Sequence, residues 1–234
     1  MDSFQFKNFT IHQDRCAMKV GIDAVMLGAW APLPDPCGRI LDIGTGTGIL
    51  ALLAAERCPH AEVIGVEIDP AAAEQAAENF QASPYSARLR VAEAPIQDFM
   101  WDEKGTFDLI VSNPPFFSGG VLSAQLERQT ARHTVRLSHA DLLRAVQKLL
   151  SPTGLFCVIL PKLEGLRFVE IAASMKFKKQ HCLQLRPREG KSINRLLLAF
   201  GRADIPCEDE TIIQYGEGQA WTEAFQALVG GYYL

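Results

Sequence analysis

The chain has 234 residues, of which 48% are hydrophobic and 21% charged, and a formal net charge of −4. Those values suit one globular α/β domain and exclude a disordered chain or one that needs metal or disulfide staples. No run of about 20 apolar residues occurs, and the start MDSFQFKNFTIHQDR lacks a basic head followed by an apolar stretch, so neither a membrane span nor a signal peptide is expected.

In chain order, Arg39–Ile43 (RILDI) reads as a buried strand that runs into a glycine cluster. Gly48–Arg57 has helical apolar spacing and good helix formers. Glu62–Ile68 (EVIGVEI) is a second buried strand. Asp69 then caps, and Pro70 opens, an alanine-rich helix through Ala82. Ala87–Ala92 and Phe107–Ser112 read as strands, and Leu137–Leu150 as a helix. Ser151–Gly154 (SPTG) is a turn, Leu155–Leu160 a strand and Leu163–Met175 a helix. Two β-rich stretches, Phe177–Arg186 and Ile193–Gly201, are separated by only Pro187–Ser192, which leaves no room for a helix and suits a hairpin. Strands alternating with helices predict a parallel sheet covered on both faces, and the hairpin adds one antiparallel strand.

Charge is segregated. Asp35–Asp108 holds 13 acids and 5 bases, Lys176–Arg202 holds 8 bases and one acid, and Ala203–Leu234 holds six acids and no Lys or Arg. A basic stretch on an acidic protein can form a local phosphate-attracting face, or can simply be a solvated surface. The six cysteines (Cys16, Cys37, Cys58, Cys157, Cys182, Cys207) form no CxxC pair or Cys/His cluster and read as reduced thiols, with no metal site.

Two motifs carry chemistry. In Leu41-Asp42-Ile43-Gly44-Thr45-Gly46-Thr47-Gly48, glycines join strand to helix, where backbone can approach a nucleotide-like ligand closely. Ile49 stands where a dinucleotide fingerprint needs its third glycine, and no G-K-[ST] follows, so no diphosphate is demanded. Glu67, ending the second strand, can accept from two ribose hydroxyls. The second motif is Ser112-Asn113-Pro114-Pro115-Phe116-Phe117. Its prolines fix φ and withhold two N–H groups, leaving the Asn113 side-chain oxygen and the Pro114 carbonyl as stiffly held acceptors. Two fixed acceptors suit an NH2 group, and Phe116 can stack on a planar base.

Together the motifs resemble the Rossmann-like (class I) S-adenosylmethionine-dependent methyltransferases that modify an amide or exocyclic amine. The stretch Asp14–Asp23 (DRCAMKVGID), continuing to Leu27–Trp30, and Val111–Phe117 (VSNPPFF) are similar to the bacterial tRNA(Val) adenine-N6 methyltransferases. The likeness runs from Phe4 to Tyr232 and Tyr233; Ile22 departs from it, standing where relatives are expected to carry Thr. The resemblance implies one α/β domain over residues 1–234, with 1–35 an N-terminal extension capping the cofactor site and 203–234 an acidic C-terminal segment. It implies a seven-stranded sheet in the order 3-2-1-4-5-7-6, with strand seven antiparallel and helices on both faces.

The implied reaction moves a methyl group from S-adenosylmethionine, leaving S-adenosylhomocysteine, to N6 of the adenosine 3′ of the anticodon (adenine-37) in tRNA(Val), in the cytoplasm and without a metal. Gly44, Gly46 and Gly48 would admit the cofactor, with Asp42 ordering the loop or meeting the methionine part. Glu67 would bind ribose, Ile68 would pack on adenine and Asp98 would accept from the adenine amine. Asp23 would close the methionine end or act as a helix N-cap. Asn113, Pro114, Pro115 and Phe116 would form the catalytic set. Lys176, Lys178, Lys179, Arg186, Arg188, Lys191 and Arg195 would follow the tRNA backbone, with Arg128, Arg132 and Arg136 near the catalytic loop. His133 and His139 read as structural or surface groups. A ribosomal RNA guanine-N2 methyltransferase and a release-factor glutamine N5 methyltransferase share the N-P-P turn. The basic stretches and the extent of the likeness favour tRNA over both.

Overall fold

The computed structural model describes residues 3–16, 18–115 and 137–233. A two-stranded antiparallel hairpin, β1 (Ser3–Gln5) and β2 (Thr10–His12), leads into α1 (Ile22–Trp30). Three strand–helix units follow: β3 (Arg39–Ile43) and α2 (Ile49–Arg57), β4 (Glu62–Glu67) and α3 (Pro70–Ala82), β5 (Leu89–Glu93) and α4 (Ile96–Asp102). Next come β6 (Phe107–Ser112), α5 (His139–Leu149), β7 (Leu150–Pro161) and α6 (Lys162–Ser174). The chain closes with β8 (Lys178–Arg188), β9 (Arg195–Gly201), β10 (Glu208–Tyr215) and α7 (Glu223–Val229).

The main sheet runs β10-β8-β9-β7-β6-β3-β4-β5, and β9 is antiparallel to both of its neighbours. Seven of these strands stand in the order that the resemblance implies. The count needs one correction: β10 is an eighth strand, paired in parallel with β8 at the sheet edge. Its sequence, EDETIIQY, is marked by acids and not by apolar alternation. Those acids meet the basic strand beside them: Lys179 pairs with Asp209 at 3.0 Å, and His181 Nδ1 lies 3.2 Å from Glu208. Cross-strand opposite charges stabilise such an edge. The segregated charges of the sequence are therefore partly spent on each other.

Successive strand residues face opposite sides, and each side has its own core. Ile40, Val63, Leu109 and Val111 point to one side, under α1, α2, α3 and α7. Leu41, Ile43, Ile64, Val66 and Ile110 point to the other, under α4, α5 and α6. Burial on both faces explains why these strands read as unbroken apolar runs. The expected SPTG turn lies inside β7, at a register shift: Phe107 pairs with Leu150, then Leu109 with Leu155. Strands β1, β2 and β10 and helices α4 and α7 lacked a prior reading, and α1 was expected only through the Asp23 N-cap alternative.

Candidate active site

The C-terminal ends of β3, β4, β5 and β6 share one edge of the sheet, because these strands are parallel. The glycine loop and the described part of the second motif, Ser112–Pro115, lie there. Gly44, Gly46 and Gly48 all have positive φ, at 73°, 54° and 85°. Gly48 has no alternative, since a Cβ there would stand 2.4 Å from the Phe80 ring of α3. Gly44 and Gly46 differ: a Cβ on either would meet nothing within 4 Å. Their backbone borders open space that a side chain would fill.

Glu67 organises this loop. Its Oε2 accepts the Gly46 N–H at 2.9 Å, and its Oε1 accepts the N–H groups of Ile68 and Asp69 at 2.9 and 3.0 Å. Asp69 caps α3 by accepting from the Ala72 N–H at 3.0 Å, as expected from the Asp-Pro pair. Ile68 follows Glu67 directly and is half-buried.

Asp42 is completely buried. Its Oδ2 accepts from the Thr45 hydroxyl at 2.6 Å and from the Ala51 N–H at 3.2 Å, which ties the loop to the first turn of α2. Its Oδ1 has no hydrogen-bond partner among the described residues. Burial pushes the Asp42 carboxyl up to about 7, against the opposing pull of those two hydrogen bonds, with Glu67 adding to the rise.

At the end of β6, the Ser112 hydroxyl donates to the Ile43 carbonyl at 2.9 Å and fixes the proline turn beside the glycine loop. Asn113 follows, and its Oδ1 is the second buried oxygen without a partner among the described residues. Pro114 is buried and Pro115 exposed. Phe116, Arg128, Arg132, His133 and Arg136 lie outside the described residues.

Asp98 sits on the same edge, exposed, in the first turn of α4 just past β5. Asp23 is in the first turn of α1 and is not its N-cap, which is Gly21. Its carboxylate instead meets Arg195 at 2.8 Å. His139 packs edge-on against Phe168 at 5.0 Å, and burial lowers its pKa, in keeping with a structural group. Among the described residues, no group of three or more His, Cys, Asp or Glu could hold a metal ion, and no helix is long and apolar enough to cross a membrane.

The sheet divides the basic set in two. Arg195 pairs with Pro161 at the C-terminal end of β7 and with Leu185 of β8, so Arg186, Arg188, Lys191 and Arg195 share the edge of the glycine loop. Lys178 pairs with Gly201, and Lys179 with Phe200, which faces Phe156 in the N-terminal part of the β7–β9 ladder, so Lys176, Lys178 and Lys179 lie toward the far edge. Lys178 and Arg188 are the two ends of β8, roughly 33 Å apart along the strand. At the far edge, Lys178 meets Asp204 and Lys179 meets Asp209, each at 3.0 Å. On the near edge, Arg188 donates to the Gly216 carbonyl at 3.0 Å and lies over Tyr215.

An open, mostly parallel sheet with a glycine loop, a strand-end acid and an Asn-Pro-Pro turn on one edge defines a Rossmann-like methyltransferase. Residues 30–162 match the family model of the methyltransferase small domain. A protein of Pectobacterium carotovorum named tRNA1(Val) (adenine(37)-N6)-methyltransferase is 42% identical over the whole chain and 94% of its own length. One of the same name from Klebsiella pneumoniae is 41% identical, again over the whole chain and 95% of its own length. The chain belongs to this family, the tRNA1(Val) (adenine(37)-N6)-methyltransferases. The fold also matches the crystal structure of a predicted O-methyltransferase from Agrobacterium tumefaciens, with a TM-score of 0.70 and 22% identity over 89% of this chain and 96% of that one.

Proposed function

We propose that the protein transfers a methyl group from S-adenosylmethionine to N6 of adenine-37 in tRNA(Val). The observation that carries the chemistry is the buried Asn113 Oδ1 at the end of β6, beside the glycine loop, which has no hydrogen-bond partner among the described residues. The full-length identity to named tRNA1(Val) enzymes carries the choice of substrate. This substrate puts the enzyme in the cytoplasm.

The residues fit the cofactor. The space over Gly44 and Gly46 admits a ligand against bare backbone, and one Asp42 oxygen has no partner among the described residues. Asp42, Glu67 and Asp98 make the edge acidic, which suits a ligand bearing a sulfonium and an ammonium. Asp42 would serve the methionine part, Glu67 the ribose hydroxyls, and Ile68 and Asp98 the adenine. When bound, S-adenosylmethionine supplies a methyl group already activated by its positive sulfur.

The chain then has to present a nucleophile. An anticodon-loop adenine is unpaired, so extruding it costs only a few kcal/mol. Asn113 Oδ1 and the Pro114 carbonyl accept the two hydrogens of the N6 amine. Holding both hydrogens draws the nitrogen lone pair out of ring conjugation and aims it toward the cofactor side of the turn. Phe116 is proposed to stack on the base. Positioning of this kind supplies most of the rate. Of the basic residues, those on the near edge, Arg186, Arg188, Lys191 and Arg195, are the proposed contacts to the tRNA backbone.

The test is to incubate the protein with labelled S-adenosylmethionine and unmodified total tRNA, then map the label by mass spectrometry of nuclease fragments. N6-methyladenosine in the anticodon loop of a valine tRNA is the expected product. Label in ribosomal RNA, or on a release-factor glutamine, would keep the chemistry and overturn the substrate.

A further inference from the structure

The N-terminal segment docks on α3 through two side chains whose burial is otherwise unexplained. Gln75 and Asn79 are one helical turn apart, share a face of α3, and are 1% and 0% exposed. Buried amides are costly unless paired, so their partners define their task. Asn79 Oδ1 accepts the His12 N–H at 2.9 Å, while its Nδ2 donates to the His12 carbonyl at 2.9 Å. The same Nδ2 donates its second hydrogen to the Thr47 carbonyl of the glycine loop, also at 2.9 Å. Gln75 Oε1 accepts the Arg15 N–H at 3.1 Å, and the Arg15 guanidinium pairs with Glu74 and Glu78 on the outside of the same helix.

One amide therefore holds two separate pieces of backbone: β2 on one side and the cofactor loop on the other. The next residue of α3, Phe80, fills the space that a side chain on Gly48 would need, so α3 meets the loop at two consecutive positions. Beyond Arg15, the half-buried Cys16 thiol is pushed up to about 11 by desolvation and then by the charges of Glu67 and Asp69, which places Cys16 in the field of the strand-end acid.

We propose that Asn79, assisted by Gln75, is a positioning residue of the cofactor site, fixing the glycine loop and residues 12–16 against each other so that both form the binding wall. The proposal rests on the cofactor reading above. Neither side chain needs to touch the reacting atoms. Their removal should weaken cofactor binding and leave the methyl-transfer step intact.

The experiment compares wild type, Asn79→Ala and Gln75→Ala by calorimetric binding of S-adenosylhomocysteine, by kcat and KM for S-adenosylmethionine, and by amide hydrogen exchange. Asn79→Ala leaves three backbone groups without partners, enough for about a tenfold rise in both Kd and KM. Gln75→Ala, which frees a single N–H, should give a smaller rise. In both variants kcat should stay within about twofold of wild type, since no transition-state contact is lost. Exchange should quicken at residues 12–16 in both, and at 44–48 in Asn79→Ala. Binding as tight as wild type in both variants, whatever their Tm, would reduce the two residues to structural groups and overturn the proposal. A loss of kcat at unchanged KM would overturn it as well. Failure of the wild-type protein to bind S-adenosylhomocysteine would sink the cofactor reading itself. Should Asn79→Ala not fold, Gln75→Ala carries the same comparison.

Discussion

Arg195 donates from Nε to Asp23 Oδ2 at 2.8 Å, joining the first residue of β9 to the first turn of α1 across 172 positions of sequence. The resemblance implies different tasks for these residues: tRNA contact for Arg195, and closure of the methionine end or a helix N-cap for Asp23. Their pairing ties the two assigned positions to each other within the fold. The side chains are 30% and 18% exposed, so the pair is partly shielded from water.

A double-mutant cycle measures this link. Asp23→Ala and Arg195→Ala should each destabilise the fold, with a coupling of about 1 kcal/mol in urea unfolding. The double mutant should lose less than the sum of the singles. Strict additivity would show the pair to be incidental.

Asn113→Ala addresses the chemistry. The substitution removes one of the two proposed amine acceptors and leaves the glycine loop untouched. The expected result is a fall in kcat of about a hundredfold or more, with S-adenosylhomocysteine affinity unchanged. Retained turnover would move catalysis away from this turn.

Salt dependence separates the two basic groups. Each phosphate contact contributes about 0.7–0.9 to the slope of log K against log salt. Arg186→Ala with Lys191→Ala, on the near edge, should lower the tRNA-binding slope by about 1.5. Lys178→Ala with Lys179→Ala should leave it unchanged, because those lysines lie at the opposite edge and face Asp204 and Asp209. Equal losses from the two double variants would spread the RNA footprint across the sheet.

These edges show where the sequence was informative. RILDI, EVIGVEI and FDLIVS are buried on both faces, so their apolar runs identify them as central parallel strands with no tertiary knowledge. The Asp69-Pro70 start of α3 carries its own cap chemistry. Strand β10 carried no comparable mark, since its stability comes from pairing with a basic strand and its acids read as solvated surface. The same limit hid the roles of Gln75 and Asn79. Within an alanine-rich helix they read as ordinary polar positions, and their partners, His12, Arg15 and Thr47, reach them only in the folded chain. The lysines failed to sort for a third reason: sequence proximity along a strand says nothing about which end of the sheet a residue occupies.

The last prediction concerns Asp42 and pH. Burial holds its carboxyl at about 7 in the fold against 3.8 when solvated, so the folded state resists ionisation. A raised carboxyl contributes its full stability below the unfolded value and loses it as pH climbs through the folded one. Stability should therefore decline between about pH 4 and pH 7, by roughly 4 kcal/mol from this group alone. Asp42→Asn keeps an oxygen for the Thr45 hydroxyl and the Ala51 N–H but cannot ionise. Urea unfolding of the ligand-free protein across that range should show the decline in wild type and a flatter profile in the variant. The difference between the two curves isolates Asp42 from the other carboxylates. Above pH 7, where Asp42 is ionised, the variant should also bind S-adenosylhomocysteine more weakly, having lost the charge proposed to meet the ligand's ammonium. Parallel stability curves would place the titration on another group, whereas a flattened curve with undiminished affinity would make Asp42 a loop-ordering residue with no direct part in holding the cofactor.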